Sequence, residues 1–216
     1  MDTSQLTRPL LRGAIHQAAF PVALVLGALL TIKTDGDRRH LAAAIFSASV
    51  AICFGLSALY HRITWTPELR LRMRRLDHAG VYLLIAGTYT PVALLELSGA
   101  WRTTILTITW AGAALAITQR FLWSSAPKWV AAALSLAIGW GGIAALPQIV
   151  TRLGAAGSTL LITGGLIYSA GAIVYVLRRP DPLPRIFGYH ELFHTLTIIA
   201  VACQYSAIAF FVLHVA

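Results

Sequence analysis

Three histidines stand where an apolar chain has no use for an ionisable ring. His190 and His194 open the last long apolar segment, in the run Gly188-Tyr189-His190-Glu191-Leu192-Phe193-His194. His61 closes the second, in Ser57-Ala58-Leu59-Tyr60-His61-Arg62. An ionisable side chain at membrane depth is costly and marks a functional site by default. Histidines four apart share one helix face. A third from another helix completes three nitrogen ligands, a set that suits zinc with a fourth position left open for water. Water on such an ion ionises near neutral pH. A carboxylate beside it can accept the proton, and Asp77 is the candidate. Ser57 lies four residues before His61, on the same face, where it can orient a ligand or donate to a developing oxyanion. A lone serine in a membrane helix otherwise bonds the carbonyl four residues back.

The last pair also fits H-E-x-x-H, the zinc-protease helix pattern in which the glutamate is the base. The pattern is short. Glu191 serves equally as a structural residue at the inner interface, paired with an arginine such as Arg185. His78 adjoins Asp77 but points about 100° away around a helix, a secondary candidate. His16, His40 and His214 read as interfacial.

Helices in a membrane must position these groups. Hydrophobic residues make up 57% of the 216 and charged residues 12%, and the mean hydropathy is +0.72. Seven stretches lack Asp, Glu, Lys and Arg: Gly13–Ile32, Leu41–Tyr60, His78–Leu95, Thr103–Gln119, Trp129–Thr151, Leu153–Leu177 and Thr195–Ala216. Each is long enough to cross a hydrocarbon core, for which about 17–25 residues suffice. The short connections leave no room for a soluble domain, so residues 1–216 are expected to form one all-α domain of seven transmembrane helices. The segment before Gly13 has no cleavable-signal character, because the apolar run after it is too long for a signal core.

The net charge of +9 points to topology rather than to nucleic acid. With the N-terminus inside, inner segments hold Arg8, Arg12, Arg62, Arg70, Arg72, Arg74, Arg75, Arg120, Lys128, Arg178, Arg179 and Arg185, twelve of the 17 basic residues. Outer segments hold the other five, Lys33, Arg38, Arg39, Arg102 and Arg152. That excess predicts an inside N-terminus and an outside C-terminus. A headgroup-binding patch at Arg70–Arg75 is the weaker reading. The only lysines, Lys33 and Lys128, sit at span ends, which excludes a retinal Schiff base. Cys53 and Cys203 fall inside spans without metal-motif spacing.

Thr66 and Pro67 read as the N-cap and first residue of a helix that runs through Asp77 into the third span. Pro91 is expected to kink that span, and Pro147 the end of the fifth. Arg178 to Pro184 reads as an extended, proline-stiffened loop delivering the chain into His190. Gly139, Gly141 and Gly142, with Gly164, Gly165 and Gly171, allow close helix approach in spans five and six or flank a lipid-accessible opening. By this topology His61, Asp77, His190 and His194 all lie at one depth near the inner face.

Arg12-Gly13-Ala14-Ile15-His16, Ser57-x-x-x-His61, Arg75-Leu76-Asp77-His78-Ala79-Gly80 with Tyr89-Thr90-Pro91, and His190-Glu191-Leu192-Phe193-His194 together resemble the haemolysin III family. This is the bacterial branch of the progestin and adipoQ receptor superfamily, which includes the adiponectin receptors. The resemblance covers nearly the whole chain. It implies seven helices in a bacterial inner membrane, with zinc near the cytoplasmic side. The family ligands fall on His61, His190 and His194, its aspartate on Asp77 and its serine on Ser57. It also implies hydrolysis of a lipid amide, as in alkaline ceramidases of the wider group, and a part in membrane lipid homeostasis. Membrane lipids are then the partners, and haemolysis is an indirect effect of altered lipids rather than a lytic pore. The alternative is a membrane-state sensor whose zinc is a structural clasp.

Overall fold

The computed structural model describes residues 9–215. Arg8, counted above among the inner cations, the segment before it and Ala216 lie outside the described residues. Among the described residues there is no strand, and six helical stretches are long and apolar enough to cross a membrane. The elements are α1 (Ala14–Ile32), α2 (Asp37–Arg62), α3 (Pro67–Pro91), α4 (Gly99–Leu122), α5 (Lys128–Trp140), α6 (Leu146–Leu177) and α7 (Tyr189–Ala207). A π-helical turn, Val92–Glu96, extends α3, and another, Ile208–Val212, extends α7. A 3-10 turn, Gly141–Ala145, joins α5 to α6.

The stretch Lys128–Leu177 is 50 residues long, and it is folded back on itself. Gly154 has φ 67° and ψ −176°, a backbone that only glycine adopts without strain. Past it α6 runs antiparallel to α5. Trp140 Nε1 donates to Ser169 Oγ at 2.9 Å, while Lys128 Nζ lies 4.6 Å from the centre of the Tyr175 ring. The reversal comes two residues after Arg152, the boundary that charge alone suggests. Pro147 lies in the first turn of α6 rather than kinking the end of a span. A missing N–H costs nothing there. The irregular segment is the 3-10 turn before it.

Thr66 caps α3 as its type predicts, with its Oγ1 accepting from Leu69 N at 3.4 Å. Pro91 ends the α-helical part of that element, and the wider turn follows directly. No water is available in a hydrocarbon core, so polar side chains must bond internally. Thr88, Thr90, Thr109 and Thr197 each donate to the carbonyl four residues back. Phe46, Val50, Cys53 and Phe54 of α2 pack with Leu84 of α3 and Ile208 and Ala209 beyond α7 in one core cluster. The cysteines are free. Val22, Val25, Leu29 and Ile32 are exposed on α1, a lipid-facing surface in a membrane protein.

Several glycines mark contacts between elements. A Cβ on Gly142 would run into the Tyr89 ring, and one on Gly164 would sit 2.7 Å from Gln204 Nε2. Close approach by spans five and six is therefore realised mainly against α3 and α7. Gly139, Gly142, Gly164 and Gly165 also line an apolar cavity of about 140 Å³.

The loop from Arg178 closes on itself instead of staying extended. Leu183 N donates to Phe187 O at 3.0 Å and Phe187 N to Leu183 O at 2.8 Å. The segment before α1 is laid along it, with Leu10 N and Leu11 N donating to Arg185 O and Ile186 O at 3.0 and 3.1 Å.

Candidate metal centre

α2 ends with its last turn against α7, and the two present their histidines to each other. His61 Nε2 lies 3.1 Å from His190 Nε2. Potential ligand atoms of His61, His190 and His194 all fall within 4.8 Å of one another. Two nitrogens on a tetrahedral ion at 2.0–2.1 Å are separated by roughly 3.3 Å, a spacing that His61 and His190 already approach. His61 and His194 are buried, and His190 is half-buried. The spacing of four in α7 works as the sequence predicts, with the His190 and His194 ring centres 4.5 Å apart.

Asp77 enters from the N-terminal half of α3. Its Oδ2 is 3.9 Å from His61 Nε2 and 3.9 Å from His78 Nδ1. Ser57 is buried one turn before His61, and its hydroxyl approaches Asp77 without reaching hydrogen-bond geometry. Ser57, Asp77, His78, His190 and His194 all line one cavity of about 60 Å³. His78 Nδ1 lies 2.7 Å from the Arg74 carbonyl. A carbonyl only accepts, so Nδ1 carries the proton and Nε2 is the ring's acceptor.

Two sequence readings change here. His16 is not interfacial: it is 3% exposed and stacks on His194, with centroids 3.9 Å apart and planes 4° from parallel. Gly13, at φ 78°, turns the chain directly beneath His61, and the first turn of α1 that follows carries His16 into the cluster. His40 and His214 are exposed. Glu191 is 1% exposed and faces Arg12 rather than Arg185. Arg12 Nε donates to its Oε1 at 2.5 Å, and Gly188 N donates to its Oε2 at 2.9 Å. Both oxygens are engaged, so Glu191 fastens the first turn of α7 to the segment before α1 and is not placed as a free base.

The haemolysin-III related family model matches residues 4–205. The chain belongs to the haemolysin III family. It is 30% identical to the haemolysin-3 homologue of Bacillus subtilis (strain 168) over 167 residues, 77% of this chain and 75% of that protein. It is 31% identical to haemolysin-3 of Bacillus cereus over 197 residues, 88% of this chain and 84% of the other. A more distant similarity, 24% over 208 residues, joins it to the adiponectin receptor protein of Drosophila melanogaster, covering 87% of this chain and 46% of that protein. As a haemolysin III member it is a multi-pass membrane protein, and its three-histidine group can hold a metal ion. The clasp between Arg12 and Glu191 gives the Arg12-Gly13 pair of the family pattern a physical role that periodicity did not reveal.

Proposed function

We propose that this chain is a zinc-dependent hydrolase of a lipid amide or ester, embedded in a bacterial inner membrane and acting in membrane lipid homeostasis. The observation that carries this reading is the junction of two cavities. The histidine-lined cavity shares Ser135, Tyr168 and Thr197 with the apolar cavity of about 140 Å³. On this reading the acyl chain enters the second and the carbonyl lies at the first. Pockets that combine apolar walls with a few convergent polar groups are the usual form of a ligand site.

His61, His190 and His194 would hold zinc, which would supply a Lewis acid for the carbonyl and lower the pKa of water toward neutrality. Asp77 takes the proton from the attacking water and returns it to the leaving amine or alcohol. Ser57 donates to the developing oxyanion. Phe193 and the apolar cavity walls exclude bulk water.

A sensor with a structural clasp is the second reading. It is favoured by the 3.9 Å between Asp77 and His61, close enough for the carboxylate to move onto the metal as a fourth ligand. Asp77→Asn separates the two, because Asn keeps the shape but is no base. Hydrolysis predicts full metal content with lipid turnover lowered roughly 10²-fold or more. Loss of metal makes Asp77 a ligand or an essential support of the ligands, and favours the clasp. Unchanged turnover on a lipid the wild type hydrolyses would sink the proposed mechanism at its central residue.

We also propose seven crossings with the site facing the cytoplasm. A straight helix of 50 residues would be roughly 75 Å long, more than twice a hydrocarbon core, and the hairpin at Gly154 supports two crossings in its place. The basic-residue excess supports the orientation. A periplasmic reporter should be active when fused after Val215 and silent when fused after Pro182. The reverse pattern refutes the orientation.

A further inference from the structure

Three cations gather on the flank of the histidine cavity that carries His78. Arg120, in the last turn of α4, is only 5% exposed. Its Nη2 stands 3.4 Å from His78 Nε2, and its buried Nε has no hydrogen-bond partner. Arg74 places Nη2 on the Ser124 carbonyl at 2.6 Å, and its Nε is likewise buried without a partner. Lys128 Nζ donates to the Tyr189 hydroxyl at 2.9 Å and sits over the Tyr175 and Tyr189 rings at 4.6 and 4.9 Å. The Tyr175 hydroxyl lies 3.4 Å from His78 Nε2. All three cations are within electrostatic reach of His78.

Among the described residues, no ion pair joins Arg74, Arg120 or Lys128 to a carboxylate. Asp77 is within electrostatic reach of Arg120 but forms no ion pair with it; its ion contacts are His61 and His78, each at 3.9 Å. Snorkelling to water accounts for Arg62 and Arg72, which are exposed. It does not account for Arg120. Like charges held together out of water are unfavourable unless an opposite charge joins them. Guanidinium forks with free N–H groups, a lysine point charge and nearby hydroxyls are the donor set that recognises phosphate or carboxylate.

We propose that Arg120, Lys128 and Arg74 bind a phosphate or carboxylate group, so that the lipid handled by the neighbouring centre carries an anionic head. The assignment of that lipid as substrate rests on the hydrolase reading above; the anion site itself does not. The chain lies in the apolar cavity, the reactive carbonyl at the histidines and Asp77, and the anion on the far side of His78.

The test is binding to purified protein in neutral-lipid nanodiscs, read as Kd and as thermal shift. The probes are lysophosphatidic acid, the monoacylglycerol with the same chain, and inorganic phosphate alone. Wild type should bind lysophosphatidic acid about tenfold or more tightly than monoacylglycerol. That preference should collapse in Arg120→Gln and, if that variant fails to fold, in the half-buried Lys128→Gln. Arg72→Gln, at an exposed arginine of the same helix as Arg74, should keep it. Equal binding of the two lipids, or a preference that survives in a folded variant, overturns the proposal. Inorganic phosphate binding as tightly as lysophosphatidic acid overturns the lipid head and assigns the site to the free ion. Preference for the anionic lipid without any release of fatty acid would remove hydrolysis and leave this site standing. Turnover of neutral lipid without preference would do the opposite.

Discussion

The two cavities of this bundle are built on opposite principles. The histidine-lined one, about 60 Å³, is held by polar contacts that cross the chain: Arg12 to Glu191, His16 on His194, and His61 beside His190. The apolar one, about 140 Å³, is shaped largely by what is missing, with four glycines among its walls. Positions in the first are over-determined, as a centre that must hold ligands to within fractions of an ångström requires. Positions in the second are set by bulk and by a few bonds between its walls, Tyr89 to Gly139, Trp140 to Ser169 and Gln204 to Leu161. The difference teaches where change should be tolerated: substitutions near the histidines should act through geometry, and those near the glycines through volume.

The strongest break to that comparison is loss of a ligand. His61→Ala and His190→Ala are expected to lower zinc from about one per chain to background, measured by metal analysis after passage through chelator-containing buffer. Full zinc in both proteins would show that the cluster is no metal centre. A smaller effect should follow from the clasp. Glu191→Gln leaves Arg12 without its counter-charge and loosens the turn that carries His190. Outer support of a metal site typically accounts for 10–100-fold in affinity, and breaking a buried ion pair costs about 3 kcal/mol. Both should appear, as weaker zinc binding in a competition titration and as a lowered unfolding midpoint. If turnover vanished while zinc affinity and stability stayed at wild-type values, Glu191 would be the base that H-E-x-x-H suggests.

Much of this was legible in the chain. The apolar stretches, the Thr66–Pro67 helix start and the pairing of His61 with His190 and His194 follow from charge-free length, capping chemistry and the helical period. What escaped was decided by contacts between distant segments. His16 lies beside a polar flank and reads as interfacial, yet the turn at Gly13 carries it under α7. Glu191 has arginines near it in sequence, including Arg185, but its partner is Arg12, 179 positions away. Pro147 looked like a kink because a proline in an apolar run usually is one, and the 3-10 turn that makes it a helix start has no signature of its own. The separation of the fifth and sixth stretches was marked by Arg152, but the reversal waits for Gly154, the first residue able to take positive φ.

The mildest change should come from the apolar cavity, at Gly139. A Cβ built there meets nothing within 4 Å, and the residue lines the cavity. Gly139→Leu therefore adds volume without a collision at the backbone. It also replaces glycine within α5, where a glycine costs roughly 0.5–1 kcal/mol relative to alanine. Stability should hold or rise slightly, and zinc content should be unchanged, since the residue is remote from all three histidines in the fold. What should change is the length of chain the protein accepts. Filling part of about 140 Å³ leaves less room for a long acyl group, so turnover or binding of long-chain lipid should fall about tenfold while a short-chain analogue is spared, in line with the 1–3 kcal/mol that methylene-scale misfits cost in apolar pockets. The measurement is the ratio of long- to short-chain lipid bound by each protein. An unchanged ratio in a stable, zinc-loaded Gly139→Leu protein would mean that the acyl chain does not lie there. The cavity would then be a packing defect between helices, and the contrast between a chemical half and a chain-holding half would fail.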